Sequence, residues 1–285
     1  MSKIKVLLGC LAAVLLVALW GGTSTGYAQK TQMMKNEKEP VYLYEDLSEY
    51  FKGYSGTFLL LDIKKNRYTI YNEEQSEKAV SPASTFKIPH ALIGLETGVL
   101  HNANTTFRWD GTVYPFVNWN EDQTLATSIS RSVIWYFQRV AEQVGVKKEQ
   151  YYLDAIQYGN RDISGGLTEF WLQSSLTISP REQLEFLKKF YSYKLPFAKC
   201  NIDAVKQMII LDKNKKAVLS GKTGTGWADN VINGTPVNGW FIGYVEKNHN
   251  VYLFVTNIQA SGQASSSKAK EITLKILADK KIYIK

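Results

Sequence analysis

Cysteine is all but missing from this 285-residue chain, which holds Cys10 and Cys200 alone. Two such distant cysteines supply neither a disulfide scaffold nor the paired spacing of a zinc site. Histidine is as sparse: His90, His101 and His249 are scattered, with no His-x-x-x-His pair to seat a metal. Neither a metal nor a bound cofactor is therefore expected. Long apolar runs are lacking too. The longest, Val6 to Trp20, is about fifteen residues where a bilayer span takes roughly 20. The net charge is +8, but the basic residues are not gathered into a nucleic-acid-binding patch. A mild positive field suits anionic substrates or wall polymers, and equally plain solubility.

The apolar run has an order of its own. Lys3 and Lys5 precede it and Gly26-Tyr27-Ala28 follows, so residues 1–28 read as a secretory signal peptide cleaved near Ala28. The alternative of a membrane anchor is disfavoured by length. A lipoprotein site at Leu8-Gly9-Cys10 is disfavoured because the cysteine falls early in the apolar run. The mature chain is then expected to be secreted or periplasmic. Losing the leader, which contains no acidic residue, lowers the charge to +6. Residues 29–41 are polar and charged, a mobile tether. The remainder, 42–285, is long enough for one large domain, and 45% apolar with 13% aromatic residues can fill its core.

Strand patterns sit at both ends of that domain. Thr57–Ile63 and Tyr68–Asn72 flank Lys64-Lys65-Asn66-Arg67 as a hairpin. Ala217–Lys222, Gly239–Val245 and Val251–Ile258 are strands near the C-terminus, the last two joined by Glu246–Asn250. Between about 84 and 210 helical spacing dominates. Ser132–Val144 has an apolar face and a stop at Gly145, and Pro180–Tyr191 starts on a proline suited to a first turn. A final helix covers Lys268–Ala278. The pattern implies an α+β fold: an antiparallel sheet formed by both chain ends, flanked by helices, with a helical subdomain inserted. A cleft is expected at the seam.

Chemistry concentrates in Ser84-Thr85-Phe86-Lys87. Serine and lysine three apart share a helix face, and a lysine there can activate a serine hydroxyl for acyl attack. Ser2/Lys5 and Ser265/Lys268 fit the same pattern, but one pair lies in the basic leader and the other in a Ser/Gly-rich loop. Only Ser84 opens an apolar helical run, and a serine at a helix start has a backbone N–H to offer an oxyanion. No Gly-x-Ser-x-Gly elbow surrounds it, which argues against a Ser-His-Asp hydrolase.

Three further motifs follow in order: Ser132-Val133-Ile134, Tyr158-Gly159-Asn160 and Lys222-Thr223-Gly224. With Pro82-Ala83, Phe170-Trp171-Leu172, Trp119-Asn120-Glu121-Asp122 and Ile163-Ser164-Gly165-Gly166, the set resembles the class D, oxacillinase-type serine β-lactamases from about Tyr54 to the C-terminal helix. That resemblance implies a small-molecule β-lactam substrate, no stable protein partner and the β-lactamase/transpeptidase fold. It makes Ser84 the nucleophile and Thr225 the second oxyanion donor. It also implies that Lys87, neutral through burial, takes up CO2 as a carbamate and serves as general base. Ile134 and Trp171 match positions that desolvate and hold this group. Ser132 matches the hydroxyl that protonates the departing nitrogen, with Lys222 supporting it, while Thr223 and Thr225 face the substrate carboxylate. Tyr158 and Asn160 fit a wall-forming or loop-stabilising role as well as a catalytic one.

One position departs from the family. Its usual carboxylate-binding arginine on the last helix aligns with Ala269, leaving Lys268 as the expected substitute, although ammonium and guanidinium bind carboxylates differently. Two rivals share these motifs. Penicillin-sensing receptor domains are acylated without turnover, but tend to carry a polar residue where this chain has Ile134. Wall peptidases resemble Ser-x-Asn at the second motif, where this chain has Ser132-Val133-Ile134. A class C-like use of Tyr158-Gly159-Asn160 would leave Ser132 without a role.

Overall fold

The computed structural model describes residues 39–284. The expected signal peptide lies outside them, as does most of the expected tether. Val41 is not tether: it begins the first strand, four residues rich in β-formers. The strands are β1 (Val41–Tyr44), β2 (Ser55–Asp62), β3 (Arg67–Tyr71), β4 (Thr106–Phe107), β5 (Gln123–Thr124), β6 (Ile210–Lys213), β7 (Ala217–Trp227), β8 (Pro236–Lys247) and β9 (Asn250–Gln259). The helices are α1 (Glu73–Ser76), α2 (Lys87–Glu96), α3 (Leu125–Arg131), α4 (Ile134–Val144), α5 (Val146–Ile156), α6 (Pro180–Tyr191), α7 (Lys199–Met208) and α8 (Ser266–Asp279).

Seven strands form one sheet in the order β1-β3-β2-β9-β8-β7-β6. Its neighbours are antiparallel except β1 and β3, which run parallel at one edge. The expected pairing of the two chain ends is thus met at β2 and β9. Turn chemistry sets the hairpins. Asn66 has φ +47° between β2 and β3, and Asn248 and His249 have φ +51° and +57° between β8 and β9. Two consecutive residues at positive φ match the twist of a tight hairpin, so the loop is shorter than Glu246–Asn250.

Side chains alternate across the sheet and build two cores. Phe241 and Phe254 pack with Ile272 and Ile276 of α8, while Ile242 and Val255 pack with the helical subdomain. In that subdomain α2 is buried from Lys87 through Leu95, as befits a central helix, and apolar there except for Lys87 and His90. Local signals place α6: Ser179 and Glu182 form a capping box and Pro180 opens the helix.

One helix differs from the sequence reading. Ser132–Val144 is not continuous: Ser132 adopts the left-handed conformation, φ 62° and ψ 34°, as the C-cap of α3, and α4 starts at Ile134. The corner takes Ser132 out of a helix face and turns its hydroxyl toward the sheet.

Candidate active site

Ser84 lies in a 3-10 turn, Ala83–Phe86, that feeds directly into α2. The turn is bolted to the sheet by its preceding residue. The Ser81 carbonyl accepts hydrogen bonds from Asn238 Nδ2 and Trp240 Nε1 of β8, both at 2.8 Å. The Ser81 hydroxyl donates to the Trp171 carbonyl at 3.0 Å. Ala83, one residue before the nucleophile candidate, has φ +47°. That conformation costs an L-residue about 1–2 kcal/mol, sustained by this anchoring. Ser81, Asn238 and Trp240 escaped the sequence reading. An indole in mid-strand, needing an acceptor, was the available signal.

Gly224 lets the turn and β7 touch. A Cβ there would stand 3.0 Å from the Pro82 carbonyl oxygen and 3.1 Å from the amide nitrogens of both Ser84 and Thr85. The hydrogen-bond phase of β7 follows from one contact: the Gly221 N–H donates outward to the Ile209 carbonyl at 2.9 Å. The two-residue period then directs the N–H groups of Thr223 and Thr225 to the same outer edge, beyond the start of β6. The Ser84 and Thr225 amides therefore belong to the two walls of one narrow gap, as an oxyanion hole requires.

Lys87 is wholly buried, with Nζ 2.9 Å from Ser84 Oγ and 5.5 Å from the centre of the Phe137 ring. Burial first, then the nearby charge of Lys222, holds its pKa well below that of an ordinary lysine. That shift favours the unprotonated amine, whose lone pair can receive the serine proton. Lys222, on β7, donates to Ser132 Oγ and to the Thr223 carbonyl, each at 2.9 Å. Burial and then the charge of Lys270 lower its pKa to about 7, so near neutrality it exchanges protons readily. Trp171 is fully buried and its indole nitrogen has no hydrogen-bond partner among the described residues. An orphaned donor in the aromatic cluster that adjoins the buried lysine fits an anionic modification of that lysine.

Ser84 and Ser132 open into a cleft of about 490 Å³, lined also by Thr223, Thr225, Arg131, Trp227 and Ser266, while Lys87, Lys222 and Trp171 lie behind its surface. Thr225 Oγ1 accepts the Ser266 N–H at 3.0 Å, which leaves its own hydrogen for an anion. Ile134 is buried at the first turn of α4. Lys268 does not line the cleft. Ser265 caps α8 and brings Ser265 and Ser266 to the site, while Lys268 pairs with Glu271 at 2.6 Å a turn away. Ala269 is buried in the α8 core, away from any carboxylate-binding task.

Tyr158-Gly159-Asn160 is a structural latch. Tyr158 packs edge-on against Phe86 and Phe186, and burial raises its pKa far above the usual tyrosine value. Gly159 has φ +53°, and a Cβ there would fall 2.0 Å from the Thr177 carbonyl oxygen. Asn160 bonds Ser175 and Thr177, closing the loop that carries Trp171.

Comparison with known proteins agrees with this geometry. Residues 55–278 match the model of the penicillin binding protein transpeptidase domain. The chain is 45% identical over 242 residues to the regulatory protein BlaR1 of Bacillus licheniformis, covering 84% of this chain but spanning only 39% of that protein's length. It is 40% identical over 264 residues to the probable β-lactamase YbxI of Bacillus subtilis, covering 93% and 94% of the two chains. Among solved structures, the class D β-lactamase BAT-2 superposes with a TM-score of 0.79 at 41% identity, covering 85% of this chain and 98% of the other. The chain belongs to the penicillin-binding transpeptidase family, and within it to the class D serine β-lactamases.

Proposed function

We infer that this chain hydrolyses the amide of β-lactam rings through an acyl-enzyme on Ser84. The observation that carries the reading is the fully buried Lys87 amine 2.9 Å from Ser84 Oγ. Ser84 Oγ attacks the lactam carbonyl carbon while its proton passes to the base on Lys87. The carbonyl oxygen takes up negative charge between the Ser84 and Thr225 amides. As the ring C–N bond breaks, the Ser132 hydroxyl protonates the nitrogen and recovers a proton from Lys222, 2.9 Å away. Lys222 is replenished by the proton that the Lys87 base took from Ser84, so that base is free again. Water, deprotonated by the same base, then cleaves the ester, releasing a carboxylate and a secondary amine and restoring Ser84. Thr223, Thr225 and the charge of Lys222 receive the substrate carboxylate.

A carbamate on Lys87, held by the Trp171 indole, would supply an anionic oxygen to accept these protons in place of the amine lone pair. Carbamate forms from unprotonated amine and CO2, so acidification removes it and bicarbonate restores it. Carbon-13 NMR with labelled bicarbonate should show it in the native chain and not in Lys87→Ala. Export through the basic–apolar–small order of residues 1–28 is part of the same proposal, tested by sequencing the N-terminus of the mature protein.

Ser84→Ala should lower turnover of a chromogenic β-lactam by at least about 10⁴-fold. Intact-mass measurement should find no adduct; an adduct on that variant would remove Ser84 from its role. The likeness to BlaR1 favours a second reading, a domain that is acylated and stops. Ile134 weighs against it, since a buried apolar side chain cannot hydrogen-bond the lysine. Colour released beyond one equivalent supports the hydrolase; a single stoichiometric burst supports the sensor. Ile134→Asn should push the enzyme that way, leaving acylation largely intact and slowing deacylation about tenfold or more. Equal steady-state rates would make Ile134 ordinary core.

A further inference from the structure

His90 lies one helical turn beyond Lys87 on α2, and both are wholly buried. Its Nε2 is 2.9 Å from Oε1 of Glu149, a carboxylate on α5 that is equally inaccessible. The other atoms of the pair, His90 Nδ1 and Glu149 Oε2, have no hydrogen-bond partner among the described residues. A buried pair so thinly satisfied is a poor device for stability, because well-packed apolar side chains do as well or better. Its surroundings suggest another use. The His90 ring stands edge-on to Trp171, 4.8 Å between centres at 71°, and also neighbours Phe86 at 5.0 Å, Phe137 at 5.7 Å and Phe170 at 6.3 Å. These rings include the one beneath Lys87 Nζ and the indole with the orphaned N–H. An imidazole has distinct edges, and only the bond from Glu149 selects which edge meets the indole.

We propose that His90 and Glu149 are positioning residues for the base on Lys87: Glu149 fixes the rotation of the His90 ring, and that ring fixes the tilt of the Trp171 indole. The consequence for Lys87 rests on the reading of this chain as a lysine-carboxylating hydrolase; the effect on Trp171 does not.

The test is a double variant, His90→Phe with Glu149→Leu, which removes the polar pair without stranding either partner. The Trp171 indole ¹H–¹⁵N signal, assigned through Trp171→Phe, is followed alongside the ¹³C carbamate signal during bicarbonate titration. A merely structural pair would change the melting temperature and leave both signals alone. Positioning predicts a displaced indole signal, a bicarbonate half-saturation raised about tenfold or more, slower deacylation and little change in acylation. Both signals at their native values in the folded variant would overturn the proposal. If the native chain shows no carbamate, the Lys87 modification fails by itself, and the indole signal still decides: displaced supports positioning, unmoved overturns it. Should the double variant not fold, His90→Asn keeps a donor for Glu149 while removing the ring, and is judged by the same signals.

Discussion

Lys87→Met should abolish β-lactam turnover and at the same time make the protein harder to melt, by about 5 °C, the effect of 1–2 kcal/mol on a domain of this size. Methionine fills nearly the same volume and needs no solvation. Burial disfavours the ammonium form of Lys87 in the folded chain, whereas the unfolded lysine has an ordinary pKa of roughly 10.4. Folding therefore sheds a proton, and stability at this site rises with pH until the unfolded lysine also becomes neutral. The melting gap between variant and native chain should be widest in mildly acidic buffer and close toward pH ~10. Lys222 titrates in both proteins and largely cancels. Calorimetry in CO2-depleted buffer measures the gap directly. A variant less stable than the native chain across this range would mean that the buried amine is well compensated, contrary to its depressed pKa.

Gly224→Ala should cut kcat about a hundredfold, the scale of losing one oxyanion donor. The added methyl would meet backbone atoms at 3.0 and 3.1 Å, among them the Ser84 amide nitrogen, and none of these is the end of a flexible side chain. Strand and turn must part, and the Ser84 and Thr225 amides part with them. Because the separation falls on transition-state charge and not on the distant cleft walls, KM should change far less than kcat. Equal kcat for both proteins would show that the gap has slack, and would shift the oxyanion role to other donors.

How much of this was legible in advance depended on the range of the interactions. The helix at Pro180–Tyr191 was readable to the residue, since its cap, first-turn proline and apolar stripe are all local. The serine–lysine pair was readable because a helix turn places residues three apart side by side. The break at Ser132 was not, because the sheet's Lys222, ninety residues on, meets the hydroxyl there. Strands β1 and β6 passed unnoticed for being four residues each at sheet edges. Lys268 carried the right charge in the right stretch, yet the cap at Ser265 turned the helix so that serines, not the lysine, reach the cleft. His90 was read only as a missing metal ligand; its partner Glu149 lies 59 residues away, and nothing local connects them.

Strand β2 pairs along its whole length with β9, so Ser55 faces Gln259 and Asp62 faces Tyr252. The order in which the chain can mature follows from that register. The turn bearing Ser84 is bonded to β8, and the earliest strands have their inner partner only when nearly the last residues are present. Loops of this span close slowly, and their entropy must be met before any contact repays it. A nascent chain stopped short of β7 and β8 thus holds the serine and lysine of its first motif on one helix turn, yet has no gap to work in. Reactivity waits on the C-terminal strands, which the Ser84 turn needs for its second wall.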